Sequence, residues 1–195
     1  MACSRRAGRF GSVRVIAARI VDPKAFFDAF VEAAEPHHAD LMKYWRRGLG
    51  KYTATVRTFL PDVASRLGLQ LYNGDYYTLD AVFYQERDLV NFSAHQTFVK
   101  YICVAFEHEN AIGGSANEIC KLQLINSPLK VLVTYGNEVD RSDYLARYAR
   151  IIADADTFGD LSTLRRQLVI FGEEGEGMPV WHPYLYADNG FVSLI

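Results

Sequence analysis

The stretch that most constrains this chain is Val99 to Asn110, reading VKYICVAFEHEN. Val99, Tyr101, Ile102, Cys103, Val104, Ala105 and Phe106 are β-branched, aromatic or small, as in a strand buried on both faces within a sheet. The run ends in two acids, Glu107 and Glu109, with His108 between them. Side chains alternate along a strand, so Glu107 and Glu109 share a face and His108 points to the other. Two carboxylates on one face repel, and no lysine stands two positions away to separate them. Either they sit in water at the sheet rim, or a cation holds them together. A divalent metal suits that role, because hard cations take oxygen ligands.

A second stretch adds a third acid. Tyr77 to Tyr84, YTLDAVFY, is again strand-like, with Asp80 in its middle. An acid inside an apolar strand is costly unless paired, protonated or metal-bound. If the two strands are neighbours, Asp80, Glu107 and Glu109 can converge.

An Asp on one strand, a Glu-x-Lys-like ending on the next and a following helix together resemble the PD-(D/E)XK nuclease superfamily. Its fold is restriction-endonuclease-like, and the likeness covers roughly residues 51 to 135. The motif is short, so the order of elements carries as much of the likeness as the acids. Asp80 matches the family's metal-binding Asp and Glu107 its Glu. Glu109 stands where Lys is usual, an E-x-E variant that some restriction enzymes carry. The resemblance implies a Mg²⁺- or Mn²⁺-dependent nuclease acting on phosphodiester bonds, with DNA as the expected partner. Asp80, Glu107 and the main-chain carbonyl of His108 would be metal ligands. Glu109 would bind a second ion or accept a proton from the attacking water. One or two Mg²⁺ held by carboxylates supply both a nucleophilic water and charge stabilisation at phosphorus. The rival readings are a catalytically degenerate member that binds nucleic acid or protein without cutting, and an unrelated α/β domain whose acids only solvate a strand end.

The order of elements fits that likeness. Asp22-Pro23 reads as an N-cap and first helical position for a helix ending near Glu35, before Pro36. A short helix over residues 39–47 follows, then a third from Gly50 to Leu67 that Pro61 should kink or restart. Asn73-Gly74 between two strand-like runs signals a hairpin turn. Residues 85–98 are polar and mixed and read as a loop. After the central strand, Gly113-Gly114-Ser115 forms a turn and Asn117 caps a helix over 118–125. A buried strand over 129–135, a helix over 140–153, a strand over 165–171 and a closing hairpin around Asn189-Gly190 complete the chain. Residues 12–20 form a short strand or lead-in. The whole is α/β with a mixed sheet, an α-β-β-β-α-β core with extra N-terminal helices and a C-terminal hairpin.

With 195 residues, half of them hydrophobic, the chain suits one domain over 1–195, residues 1–12 being a frayed tail. A net charge of −2 excludes a protein that coats DNA by bulk charge, yet allows a local basic track around an acidic site. Cys3, Cys103 and Cys120 make an odd number without CxxC spacing, the pattern of small buried side chains in a reducing cytosol, so a cytoplasmic location is expected. No apolar run approaches ~18 residues, so no membrane span is expected. The N-terminal arginines are not followed by the apolar region of a secretory signal. A homodimer is allowed.

Other residues carry weaker signals. Arg46, Arg47, Lys51 and Arg57 are interleaved with Tyr44, Trp45 and Tyr52. They either contact phosphates and stacked bases or form a solvated helical face with the aromatics in the core. His37-His38 lacks companions at zinc-ligand spacing. Ser115 and His182 lack the local context of a catalytic triad. Glu32, Glu35 and Asp40 are open candidates for the additional helix acid that the family often uses. Lys121 stands in the helix after the acidic strand, i,i+3 from Glu118. It either reaches the acids from that helix, replacing the strand lysine that the family would place at Glu109, or only pairs with Glu118 on a solvated face.

Overall fold

The computed structural model describes residues 20–45, 49–93, 96–156 and 166–195. Cys3, Arg46, Arg47, the tail over 1–12 and most of the 12–20 lead-in lie outside the described residues. Three helices come first: α1 (Pro23–Ala34), α2 (His38–Tyr44) and α3 (Leu49–Arg66). Asp22 Oδ1 accepts from the main-chain N–H of Lys24 (2.9 Å) and Ala25 (3.1 Å), with Pro23 at the first helical position. This local chemistry starts α1 where the Asp-Pro pair predicts.

Strands β1 (Gln70–Tyr76) and β2 (Leu79–Tyr84) form a hairpin, and β3 (Leu89–Ser93) and β4 (Gln96–Val99) form a second. Then follow β5 (Val104–His108), α4 (Ser115–Gln123), β6 (Leu129–Tyr135), α5 (Glu138–Ala155), β7 (Arg166–Glu174), β8 (Pro179–Ala187) and β9 (Gly190–Ser193). One seven-stranded sheet runs β1-β2-β5-β6-β7-β8-β9, and β3-β4 stands apart as a two-stranded sheet. β5, β6 and β7 are parallel, while β2 joins β5, and β8 joins β7, antiparallel. The structure is therefore a mixed α/β sheet with helices on both faces. Phe26, Phe30, Phe59 and Val56 from α1 and α3 pack on Phe83, Phe106, Val131 and Ile170 of one face. Ile119, Leu122, Tyr148 and Ile152 from α4 and α5 pack on Val82, Ala105, Leu132 and Val169 of the other.

Four expectations are corrected. The Val99–Asn110 run is not one strand: Val99 closes β4, residues 100–103 are irregular, and only Val104–His108 joins the sheet. The Lys100 N–H is drawn to the Asp88 carbonyl at 2.9 Å, and the Val99 N–H to the Tyr76 hydroxyl at 2.7 Å. Residues 85–98 are not a loop but a 3₁₀ turn followed by the β3–β4 hairpin, with Leu89 opposite Val99 and Val90 opposite Phe98.

The hairpin turn is not at Asn73-Gly74. β1 runs through those residues with a bulge, Gly74 holding φ +144°, and the chain reverses at Tyr77 (φ +48°) and Thr78 (φ +75°). Nor does Pro61 break α3. Proline has no N–H for the carbonyl four residues back, which belongs to Arg57. The side-chain amide of Asn73 donates to that carbonyl at 2.8 Å, and the helix continues. Asn73 is thus engaged by a helix, which competes with its use as a turn residue.

Candidate functional site

β5 lies inside the sheet, so its side chains divide between the two faces. Phe106 and its even-numbered neighbours face α1 and α3, and Ala105 and its odd-numbered neighbours face α4. Glu107 therefore points to the α4 side and His108 to the α3 side. The β2–β5 register ends with Ala81 paired to Phe106, which leaves Asp80 just beyond the ladder. Asp80 Oδ2 accepts from the His108 main-chain N–H at 2.9 Å, so the acid is tied to β5 beside Glu107.

Each of these acids has a cation from a helix. The Arg57 guanidinium of α3 donates to Asp80 Oδ1 at 2.8 Å and lies 3.6 Å from Asp75. The Lys121 ammonium of α4 lies 2.8 Å from Glu107 Oε1 and 2.5 Å from Glu118 Oε2, and donates to the Thr78 carbonyl at 3.0 Å. α4 begins soon after β5 ends, and its last turn is carried back along the strand. Lys121 thus reaches Glu107 from the helix and does not merely pair with Glu118 on a solvated face.

Burial sets the electrostatics. Glu107 is 1 % exposed, and burial pushes its carboxyl up to about 8, against the pull of Lys121 and with the help of Glu118 and Asp80. For Lys121, burial opposes the charged form, but the two carboxylates beside it outweigh this and hold its pKa above the ordinary lysine value. On the other face, His108 Nε2 bonds the Tyr135 hydroxyl at 2.7 Å, and its ring stacks on Tyr52 at 5.8 Å. Burial lowers the His108 pKa to about 4, with Asp80 opposing and Arg57 assisting, so the imidazole is neutral at pH 7.

The expected convergence of three acids does not occur. β5 ends at His108, and Glu109 enters the turn before α4. Its Oε1 accepts from the Ala111 N–H at 2.8 Å, while Oε2 packs against the Gly114 Cα position. A turn with free N–H groups captures the carboxylate that a longer strand would have left on the sheet. Among the described residues no group of three or more His, Cys, Asp or Glu side chains is gathered as a cation site. Of the acids expected to bind a divalent ion, Asp80 and Glu107 remain near one another. They suit a hard cation in kind and position, each now balanced by a basic side chain.

The remaining candidates separate. Trp45 and Tyr52 are buried in the core, in contact with one another and with Tyr135. Lys51 is exposed, its ammonium 5.4 Å from the Tyr44 ring centroid. Arg57 turns into the acid site and away from any separate basic face. His37 packs its ring on Phe59. Ser115 bonds Tyr148 and the Ile112 carbonyl, whereas His182 lies 3.2 Å from Glu173, so they form no triad. Cys103 is buried, but Cys120 is exposed on α4, contrary to the expectation of a buried side chain. No helix among the described residues is long and apolar enough to cross a membrane.

Sequence reasoning missed Arg57 as a partner of Asp80. The signal was present: an acid inside β2 needs a cation, and α3 precedes the hairpin with Arg57 on its sheet-facing half. No family model and no curated protein matches this chain.

Proposed function

We propose that the protein is a metal-dependent nuclease of restriction-endonuclease-like fold, hydrolysing phosphodiester bonds, with DNA as its substrate. One observation carries this reading: buried Glu107 has the Lys121 ammonium 2.8 Å away, and Asp80 of the adjacent antiparallel strand accepts the N–H of the next residue, His108, at 2.9 Å. The element order supports it. α3, β1, β2, β5, α4 and β6 follow one another as in the α-β-β-β-α-β core, with β5 and β6 parallel, and the β3–β4 hairpin as an insertion. In this reading Asp80, Glu107 and the His108 carbonyl would hold a Mg²⁺ or Mn²⁺ ion. When bound, such an ion supplies a nucleophilic water at neutral pH and a Lewis acid at phosphorus.

The chain's own residues do the rest. Beside a bound cation Glu107 would stay ionised, because the added charge would oppose the effect of burial. Lys121, released toward the substrate, offsets the negative charge that grows on the phosphoryl oxygens. Arg57 holds Asp80 in place until it is needed. Lys51, exposed on α3, is left as a phosphate contact.

The test is cleavage of plasmid and single-stranded DNA with and without Mg²⁺ or Mn²⁺. Asp80→Ala should be inactive, and Lys121→Ala should lose at least ~100-fold in turnover, the usual scale for a lost electrostatic stabiliser. Mn²⁺ should also raise the melting temperature, and Asp80→Ala and Glu107→Ala should each remove most of that rise. Wild-type protein that neither cleaves nor responds to metal would exclude the reading.

One observation favours a second reading, a member of the same fold that binds nucleic acid or protein without cutting. Arg57 and Lys121 already neutralise both acids, and Glu109 is diverted. A protein that binds DNA but shows no metal response would favour it.

A further inference from the structure

Beside the acid–lysine centre, the β1–β2 hairpin carries an unusual surface. Among the described side chains, only two aromatic rings remain exposed, Tyr72 (40 %) and Tyr77 (76 %). Both lie on this hairpin, joined through Tyr76 into one edge-to-face array, with ring centroids 5.2 and 4.9 Å apart. The middle ring is the anchor: Tyr76 is buried, and its hydroxyl accepts the Val99 N–H at 2.7 Å. A soluble surface gains nothing by presenting tyrosine rings at a hairpin tip, where each apolar face costs hydration. The tip is also the wrong place for these residues on backbone grounds. Tyr77 and Thr78 both occupy the left-handed region, where Asn and Gly are favoured and a β-branched residue is an outlier.

The array leads into the candidate site. Thr78, one residue from Tyr77, accepts the Lys121 ammonium on its carbonyl, and the same ammonium holds Glu107. Tyr72 touches Tyr76 across the β1 bulge, and Tyr76 packs in the cluster that α4 covers, the face that Glu107 uses.

Resting on the nuclease reading, we propose that Tyr77 and Tyr72 form a stacking platform for the bases of an unpaired nucleic-acid strand, and that this platform delivers the strand's phosphodiester to Asp80, Glu107 and Lys121. An exposed ring face can receive a base only when that base is not stacked within a duplex, so the substrate class is single-stranded or locally unpaired nucleic acid. Stacking of this kind tolerates any base.

The experiment measures binding of a short oligothymidylate and of a duplex of equal length, in EDTA so that no cleavage intervenes. Wild-type protein should prefer the single strand. Tyr77→Ala should weaken single-strand binding at least about 5-fold, the scale of one lost stacked base. Tyr77→Phe and Tyr77→Trp should restore it, and Tyr77→Leu, apolar but without a π-face, should not. Melting temperatures of all variants establish that the fold is kept. Single-strand binding by Tyr77→Ala equal to that of wild type overturns the platform, as does equal affinity of wild type for both probes. The outcomes separate from those of the nuclease reading: a wild type that cleaves plasmid with metal but does not prefer the single strand sinks the platform alone. Tyrosine-dependent single-strand binding without any cleavage keeps the platform and sinks the nuclease.

Discussion

Glu107 and His108 are neighbours on one strand, both buried, and the two faces of the sheet treat them differently. Burial drives both toward their neutral forms, the acid upward and the imidazole downward. On the α3 side this outcome is accepted: His108 stacks on Tyr52 and bonds a tyrosine hydroxyl, a neutral pair in an aromatic core. On the α4 side it is resisted: Lys121 brings its positive charge to the buried carboxyl, against burial and the nearby Glu118 and Asp80 carboxylates. One face has settled its polar residue as part of the packing, and the other keeps an ionisable group poised. That contrast is what favours the α4 side in the proposed reading.

The largest test of the contrast is packing. Phe106 is fully buried on the His108 face, and Phe106→Ala should cost ~3–5 kcal/mol by denaturant unfolding. A loss under ~1 kcal/mol would mean that this face is not a close-packed core. Next comes the removal of each partner. Lys121→Ala leaves a buried carboxyl without its cation and should cost about 3 kcal/mol at pH 9, and less at pH 6 where Glu107 can take up a proton. Tyr135→Phe removes one neutral bond from His108 and should cost about 1 kcal/mol at both pH values. Equal costs, or equal pH dependence, would erase the distinction between the faces.

The pH profile of stability then follows with opposite signs. Glu107 binds its proton more tightly in the folded protein, so its contribution is full at low pH and is lost as pH rises from 4.5 to about 8. His108 binds its proton less tightly when folded, so its contribution is present above 6.5 and is lost as pH falls toward about 4. The two slopes oppose one another between 4.5 and 6.5, and only that of Glu107 remains up to about 8. The melting temperature should therefore decline above pH 6.5, and Glu107→Gln should flatten that decline. His108→Asn should remove the acid limb and leave the alkaline one. A Glu107→Gln profile that still falls as steeply would show that another group is responsible. The smallest effect concerns α3, which delivers Arg57 to the site: Asn73→Ala should cost ~1 kcal/mol, and less in a Pro61→Gly background, where the helix supplies its own N–H.

How far the sequence could be read depended on whether local chemistry or distant partners decide each segment. Residues 129–135 (LKVLVTY) are apolar or β-branched except for Lys130 and form β6 over that same range. Asp22-Pro23 and the closing Asn189 turn act within a few residues, and both are found where expected. Two of the failures involve competition from elsewhere in the chain, and a third is a hairpin within a polar stretch. Asn73 left its turn for a helix carbonyl, Val99 left its strand for Tyr76, and the polar 85–98 stretch became a hairpin folded onto Asp88 and Leu89. In the site, alternation placed Glu107 and His108 on opposite faces, and helix spacing brought Lys121 to Glu107. The diversion of Glu109 hinged on where β5 stops, which no residue pattern marks.

The carbonyl that Pro61 leaves open turns Arg57 into a two-handed clamp. Its backbone oxygen grips Asn73 of the edge strand, while its guanidinium grips Asp80 of the next strand inward. A bulged edge strand is the part of a sheet most prone to slide by one residue, and such a slide would turn every side chain to the wrong face. Because one residue holds both strands at fixed points, the hairpin has a ruler built into the helix above it. Alignment errors in β1 would be felt at Asp80, so the geometry of the acid site and the register of the sheet edge stand or fall together.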